Sequence, residues 1–182
     1  DSGSNSRTTV DYSTITAPSG LTLPGSITLV AATKIIVEAG KNTWVDPQGD
    51  SFSSEYTRYY TEVGDDQVFL WETQTRNGVT TTYDSNWNQI GKPKADPSAL
   101  KAVDSATNDD AEIIANTASL EKVFGKDIKF LLLNTWTDQQ NANNSGKEYG
   151  IFDGTGLKLG SMNVNKGSWS DDGTGETYLS TN

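Results

Sequence analysis

Residues 68–91 read VFLWETQTRNGVTTTYDSNWNQIG, and their punctuation is that of a β-hairpin. Asn77 and Gly78 both tolerate positive φ, so the pair suits a two-residue type I′ turn. Such a turn pairs Arg76 with Val79, Thr73 with Thr82, Glu72 with Tyr83 and Trp71 with Asp84. The threonine-rich ladder fits a partly solvated sheet face. Trp71, in mid-strand, is expected in the core.

Working outward, EYTRYYTEV (55–63) alternates Tyr, Thr and charge, which reads as a strand with one wet face. Gly64-Asp65-Asp66 is a tight loop before the strand QVFLWETQTR. ITLVAATKIIVEAG (27–40) holds two β-branched runs, and KNTWVDPQGDSFSS after it carries turn chemistry. Residues 1–26 are rich in Ser, Thr, Gly and Pro and read as a linker. DIKFLLLNTW, EYGIF, GLKLGSMNV and a final polar segment continue the strand pattern.

The pattern changes over residues 96–125. Asp96-Pro97 reads as an N-cap with proline at the first helical position. Asp109 and Glu112 resemble a capping box. Ile113, Thr117, Leu120 and Phe124 share one helical face with Ile114 beside it, and Gly125 stands at C′. The expected fold is mainly β, antiparallel and sandwich-like, in one domain over 27–182 with inserted helices at 96–125. An α+β fold is the alternative.

Composition removes several chemistries. Among 182 residues there is no Cys and no His, so thiolate sites, the commonest general base and the usual zinc ligand are excluded. The net charge is −10, which opposes nucleic-acid binding. No transmembrane run occurs, so membrane insertion is not expected. The start, DSGSNSRTTV, reads as a module from a longer chain flanked by further modules, and a cysteine-free polar composition fits a bacterial extracellular protein.

Two segments are internal copies. Tyr83-Asp84 precedes Ile90-Gly91 at the spacing by which Phe152-Asp153 precedes Leu159-Gly160. An Asp at such a strand-to-turn boundary folds its carboxylate onto amides two residues on, and both copies keep it. The second copy has Gly-Thr-Gly where the first has Ser-Asn-Trp, so Asn86, Trp87 and Asn88 are particular to the first. They are the candidate ligand residues, together with Trp136 and Trp169, since aromatic faces beside amides suit a sugar or a short peptide. The competing reading is that such tryptophans cap a core.

Acid-rich turns are candidate calcium sites, because hard cations take six to eight oxygen ligands. The candidates are Asp84, the pair Asp46 and Asp50, the pair Asp65 and Asp66, and the pair Asp171 and Asp172; Asp109-Asp110 is a further acidic turn. Asp84-x-Asn86-x-Asn88 departs from an EF-hand, with Gln89 at its sixth position and Ala95 at its twelfth. For any single turn a solvated loop is the simpler reading. No nucleophile elbow, P-loop or dinucleotide motif occurs, so an enzyme is not expected.

With YDSNWNQIG and FDGTGLKLG, the composition resembles that of modules in large bacterial surface adhesins of the RTX type, including the ligand-binding regions of ice-binding adhesins. The glycine-rich nonapeptide repeats of RTX segments are absent. The resemblance implies a calcium-stabilised β-rich domain on the bacterial cell surface that binds a glycan or peptide of another cell. A structural spacer of the same fibre and a polysaccharide-acting enzyme or accessory domain are the alternatives.

Overall fold

The computed structural model describes residues 5–47, 49, 51–102, 117–137, 140–141, 143–166 and 176–181, with backbone alone at 117 and 176–181. The chain is mainly β, as expected, and both of its sheets are antiparallel. Contacts group it into two compact units, Asp1–Pro93 and Lys94–Asn182. The boundary falls inside the span that the sequence reading treats as one domain, and each unit holds one of the two internal copies.

The first unit is built on a six-stranded sheet in the order β1 to β6. Its strands are β1 (Ser6–Asp11), β2 (Lys34–Val45), β3 (Ser51–Val63), β4 (Asp66–Arg76), β5 (Val79–Asp84) and β6 (Gln89–Ala95), of which the last two residues, Lys94 and Ala95, group with the second unit. The β4–β5 hairpin has the register read from Asn77-Gly78, from Arg76 opposite Val79 to Trp71 opposite Asp84. Asn77 (φ 54°) and Gly78 (φ 82°) are both left-handed, as a type I′ turn demands. β2 runs five residues past Gly40, through KNTWV, because Trp44 opposite Phe52 and Thr43 opposite Ser53 continue the ladder. Only residues 46–50 separate it from β3, closed in part by Gly49 N–H donating to the Asp46 carbonyl (3.0 Å).

Residues 6–29 do more than link. β1 pairs with β2 from Ser6–Ala39 to Asp11–Lys34. The chain after it lays Tyr12, Ile15, Leu21, Leu23, Ile27 and Leu29 against a core of Ile35, Leu70 and Trp71. Trp71 stacks on Tyr59 with ring centroids 4.3 Å apart. A bulge makes this core possible. The β3–β4 register passes from Tyr59–Trp71 to Tyr60–Phe69, which leaves Leu70 as the extra residue. Leu70 and Trp71 can therefore both be buried although they are neighbours, while Phe69 and Glu72 share the opposite face.

The second unit carries a sheet ordered β11-β10-β9-β8-β7. Its strands are β7 (Lys101–Ala102), β8 (Lys129–Thr137), β9 (Ser145–Phe152), β10 (Lys158–Lys166) and β11 (Glu176–Thr181). The expected helical insertion is one helix in the described residues, α1 (Thr117–Phe124). Asp96 does cap, its carboxylate accepting from Ser98 N–H (3.0 Å), but the segment is a single 3-10 turn, Pro97–Ala99, that yields to β7. Residues 103–116, including the Asp109–Glu112 box, Ile113 and Ile114, lie outside the described residues. Gly125 ends α1 as expected, at φ +98° with its N–H donating to the Glu121 carbonyl (2.8 Å). α1 contributes Leu120, fully buried, to a core of Ile128, Phe130, Tyr149, Ile151, Met162 and Val164, with Phe124 packed against it.

This packing makes Leu120 the anchor of α1. Leu120→Ala should destabilise the second unit by about 2–5 kcal/mol, the range for emptying a buried leucine site, measured by urea denaturation. A loss under half a kilocalorie would mean that α1 does not seal this core.

Candidate functional site

Both copies of the repeat turn the corner with one hydrogen-bond scheme. Asp84 Oδ1 accepts from the N–H groups of Asn86 and Asn88 (both 2.9 Å), as Asp153 Oδ1 does from Thr155 (2.9 Å) and Leu157 (3.0 Å). The Asp84 N–H donates to Asn88 O and the Trp87 N–H to Asp84 O; Asp153, Leu157 and Gly156 repeat this. The Thr155 hydroxyl adds a bond to Asp153 Oδ1 (2.6 Å), and that bond, with the amides, holds the Asp153 carboxyl below its usual pKa despite some burial. Asp84 thus acts as a turn-forming carboxylate. The first strands of the copies are not in the same register, since Tyr83 faces Glu72 whereas Phe152 faces Lys129.

The copies differ at the fourth turn position, which is left-handed in both. The second copy has Gly156 there (φ +95°), where a Cβ would collide with the Ala95 carbonyl oxygen. The first copy has Trp87 at φ 64°. A bulky L-residue in this region is an outlier, costing roughly 1–2 kcal/mol. The indole is half-exposed, at 50%. It stacks on Phe69 (4.8 Å, 30°) and lies beside Tyr83 (6.2 Å).

Arg58 completes this cluster. Its guanidinium carbon lies 5.5 Å from the Trp87 ring centroid, 5.8 Å from Phe69 and 5.2 Å from Tyr56. Its Nε donates to Glu72, which is buried, and Gln74 donates to the other Glu72 oxygen (2.7 Å). Burial disfavours the charged guanidinium, but hydrogen bonds to Tyr60 (3.3 Å) and Glu72, with the Glu72 charge, outweigh it and raise the Arg58 pKa.

Register shows how these residues meet. Arg7, Glu38, Arg58, Glu72 and Tyr83 are successive cross-strand partners from β1 to β5. They form a row of alternating charge, with Arg7 to Glu38 at 3.4 Å and Arg58 joined to Glu72. The Tyr56 hydroxyl donates to Glu38 (2.8 Å); that bond, and then burial, raises the Tyr56 pKa. Along β3, perpendicular to the row, Phe52, Tyr56, Arg58 and Tyr60 alternate onto this same face. The only arginines in the chain, Arg7, Arg58 and Arg76, each lie over an aromatic ring of this sheet.

The other sequence candidates are placed as follows. Asn86 and Asn88 flank Trp87 in its turn, with exposed side chains. Trp136 belongs to the second unit and sits within β8, not in a turn; its ring covers Gly146 of the neighbouring strand so closely that a Cβ there would clash. Trp44 is likewise a strand residue, in β2. Asp65 and Asp66 are exposed at the β3–β4 turn, and Asp46 lies at the far end of the β2–β3 hairpin. Asp50, Trp169, Asp171 and Asp172 lie outside the described residues. Among the described residues no three acidic side chains gather as metal ligands. Two buried amide oxygens of β10, Asn163 Oδ1 and Asn165 Oδ1, have no hydrogen-bond partner among the described residues.

Sequence reasoning missed Arg58, Glu72, Phe69 and Tyr60. The available signal was the scarcity of arginine in an acidic chain and the period-two spacing of Tyr56, Arg58 and Tyr60.

Two measurements test this site. Removing the indole by Trp87→Gly should leave the protein about 1 kcal/mol more stable than Trp87→Ala, because glycine accepts the left-handed backbone freely; Gly156→Ala should be destabilising for the same reason. Equal melting of Trp87→Gly and Trp87→Ala would show that the backbone is not strained. Arg58→Ala should cost about 3–5 kcal/mol in denaturant unfolding, since it strands the buried Glu72 carboxylate.

Comparison with known proteins finds no family model, no curated protein and no solved structure that matches this chain.

Proposed function

We propose that this chain is a non-catalytic ligand-binding module of a bacterial cell-surface adhesin, taking a sugar or peptide on the Trp87 face and stabilised by calcium. One observation carries the reading. Trp87 keeps a half-exposed indole on a left-handed backbone where the duplicate turn uses glycine. The turn itself does not require tryptophan, so the strain is explained by what the ring does. Phe69 and Arg58 back the indole, leaving an aromatic platform fixed before a ligand arrives.

Binding is favoured over catalysis because the face is made of rings and paired charges. Glu38 and Glu72 each have an arginine partner, which suits hydrogen bonding to a ligand better than proton transfer. Calcium is supported by the acidic composition, and the amide oxygens of Asn163 and Asn165, buried and without a hydrogen-bond partner among the described residues, are ligands of the type a hard cation takes. The extracellular assignment rests on the cysteine-free composition and the adhesin-like copies.

A glycan and peptide array probed with the protein and with Trp87→Ala tests the ligand reading: binding should vanish in the variant while its melting temperature changes little. Binding that survives the substitution would place the site elsewhere. Thermal melting over a calcium titration tests the metal. A site filled at ~100 times its Kd adds roughly 2.7 kcal/mol, and sodium at equal ionic strength should not reproduce it. An unchanged melting point would remove calcium from the proposal.

A further inference from the structure

The Trp87 arrangement occurs twice on the first sheet. At the other end of β3, Trp44 stacks on Phe52 (5.9 Å, 23°), and the Arg76 guanidinium carbon lies 4.8 Å from the Phe52 centroid and 5.6 Å from that of Trp44. Both assemblies are a tryptophan on a phenylalanine with an arginine over the two. Both indoles are about half-exposed, Trp44 at 41% and Trp87 at 50%. Phe52 and Tyr60, which mark the two ends on β3, are eight residues apart, roughly 26 Å along an extended strand.

We infer that this face binds an extended, uncharged polysaccharide lying along β3, with one sugar stacked at Trp87 and a second, distant one at Trp44. The inference rests on the reading of the Trp87 face as the ligand site and adds the ligand's class and reach. Two separated stacking stations on one sheet face match a polymer better than a lone monosaccharide. Charge favours a neutral chain: Arg7, Glu38, Arg58 and Glu72 on this face cancel in pairs, and the protein's −10 repels a polyanion. The partly exposed guanidinium groups of Arg7 and Arg58 still offer donors to sugar hydroxyls. A peptide strand would instead seek an unpaired sheet edge, because a sheet face offers it no backbone partners.

The test is native affinity electrophoresis through gels holding soluble neutral polysaccharides (a β-glucan, a mannan, a dextran), followed by calorimetry with the retarding polymer. Trp44→Ala and Trp87→Ala should each weaken the polymer by about tenfold or more, equivalent to 1.4 kcal/mol. Trp44→Phe, which keeps a stacking ring, should restore most of the loss, and thermal melting of each variant separates lost binding from lost folding. Undiminished polymer binding by a folded Trp44→Ala, with loss in Trp87→Ala, would overturn the second station and leave the Trp87 reading standing. Failure of the unmodified protein to bind any of the polymers, with peptides bound on the array, would overturn the polysaccharide inference alone. Binding of neither class would overturn both.

Discussion

Arg58 stands where two lines of side chains cross, and the first unit is organised about that crossing. One line runs across the strands as alternating charge, from Arg7 through Glu38 and Arg58 to Glu72. The other runs along β3 as aromatic rings. A guanidinium can serve both, because its edge donates hydrogen bonds in plane while its faces stack. Lysine could answer the Glu72 charge but not hold three rings. The buried Glu72 carboxylate in turn ties β4 to β3 at the point where the bulge has just shifted the register.

The bulge sorts residues between two purposes. With Leu70 as the extra residue, Leu70 and Trp71 go to the core and Phe69 and Glu72 to the outer face. A regular β4 would send Leu70 and Glu72 to one face and Phe69 and Trp71 to the other, setting leucine beside charge and parting the two core residues. The aromatic platform and the core are therefore consequences of one local irregularity.

These facts account for what could be read in the sequence and what could not. The β4–β5 register was legible because Asn77-Gly78 permits essentially one turn geometry. The role of Asp84 was legible because Asp153 repeats it without the neighbouring asparagines and tryptophan. The length of β2 was obscured by the polar residues Lys41 and Asn42, which stand beside true turn residues at Asp46-Pro47. The apolar cover from residues 12–29 was obscured by its lack of any period, since beyond one 3-10 turn at Tyr12–Thr14 it packs without being a strand or a helix. The charge row was beyond reach. It depends on three successive registers, and a slip of one residue in any of them moves a side chain to the other face.

Both sheets join each strand to its neighbour in sequence. Such a meander asks for no long-range closure before its first contacts form, so loop entropy is met in small steps. Hairpins can therefore accumulate in the order in which the ribosome delivers them. The first sheet has all its strands once Ala95 has emerged, while much of the chain is still to be made. Each new strand meets an edge already laid down by the strand before it.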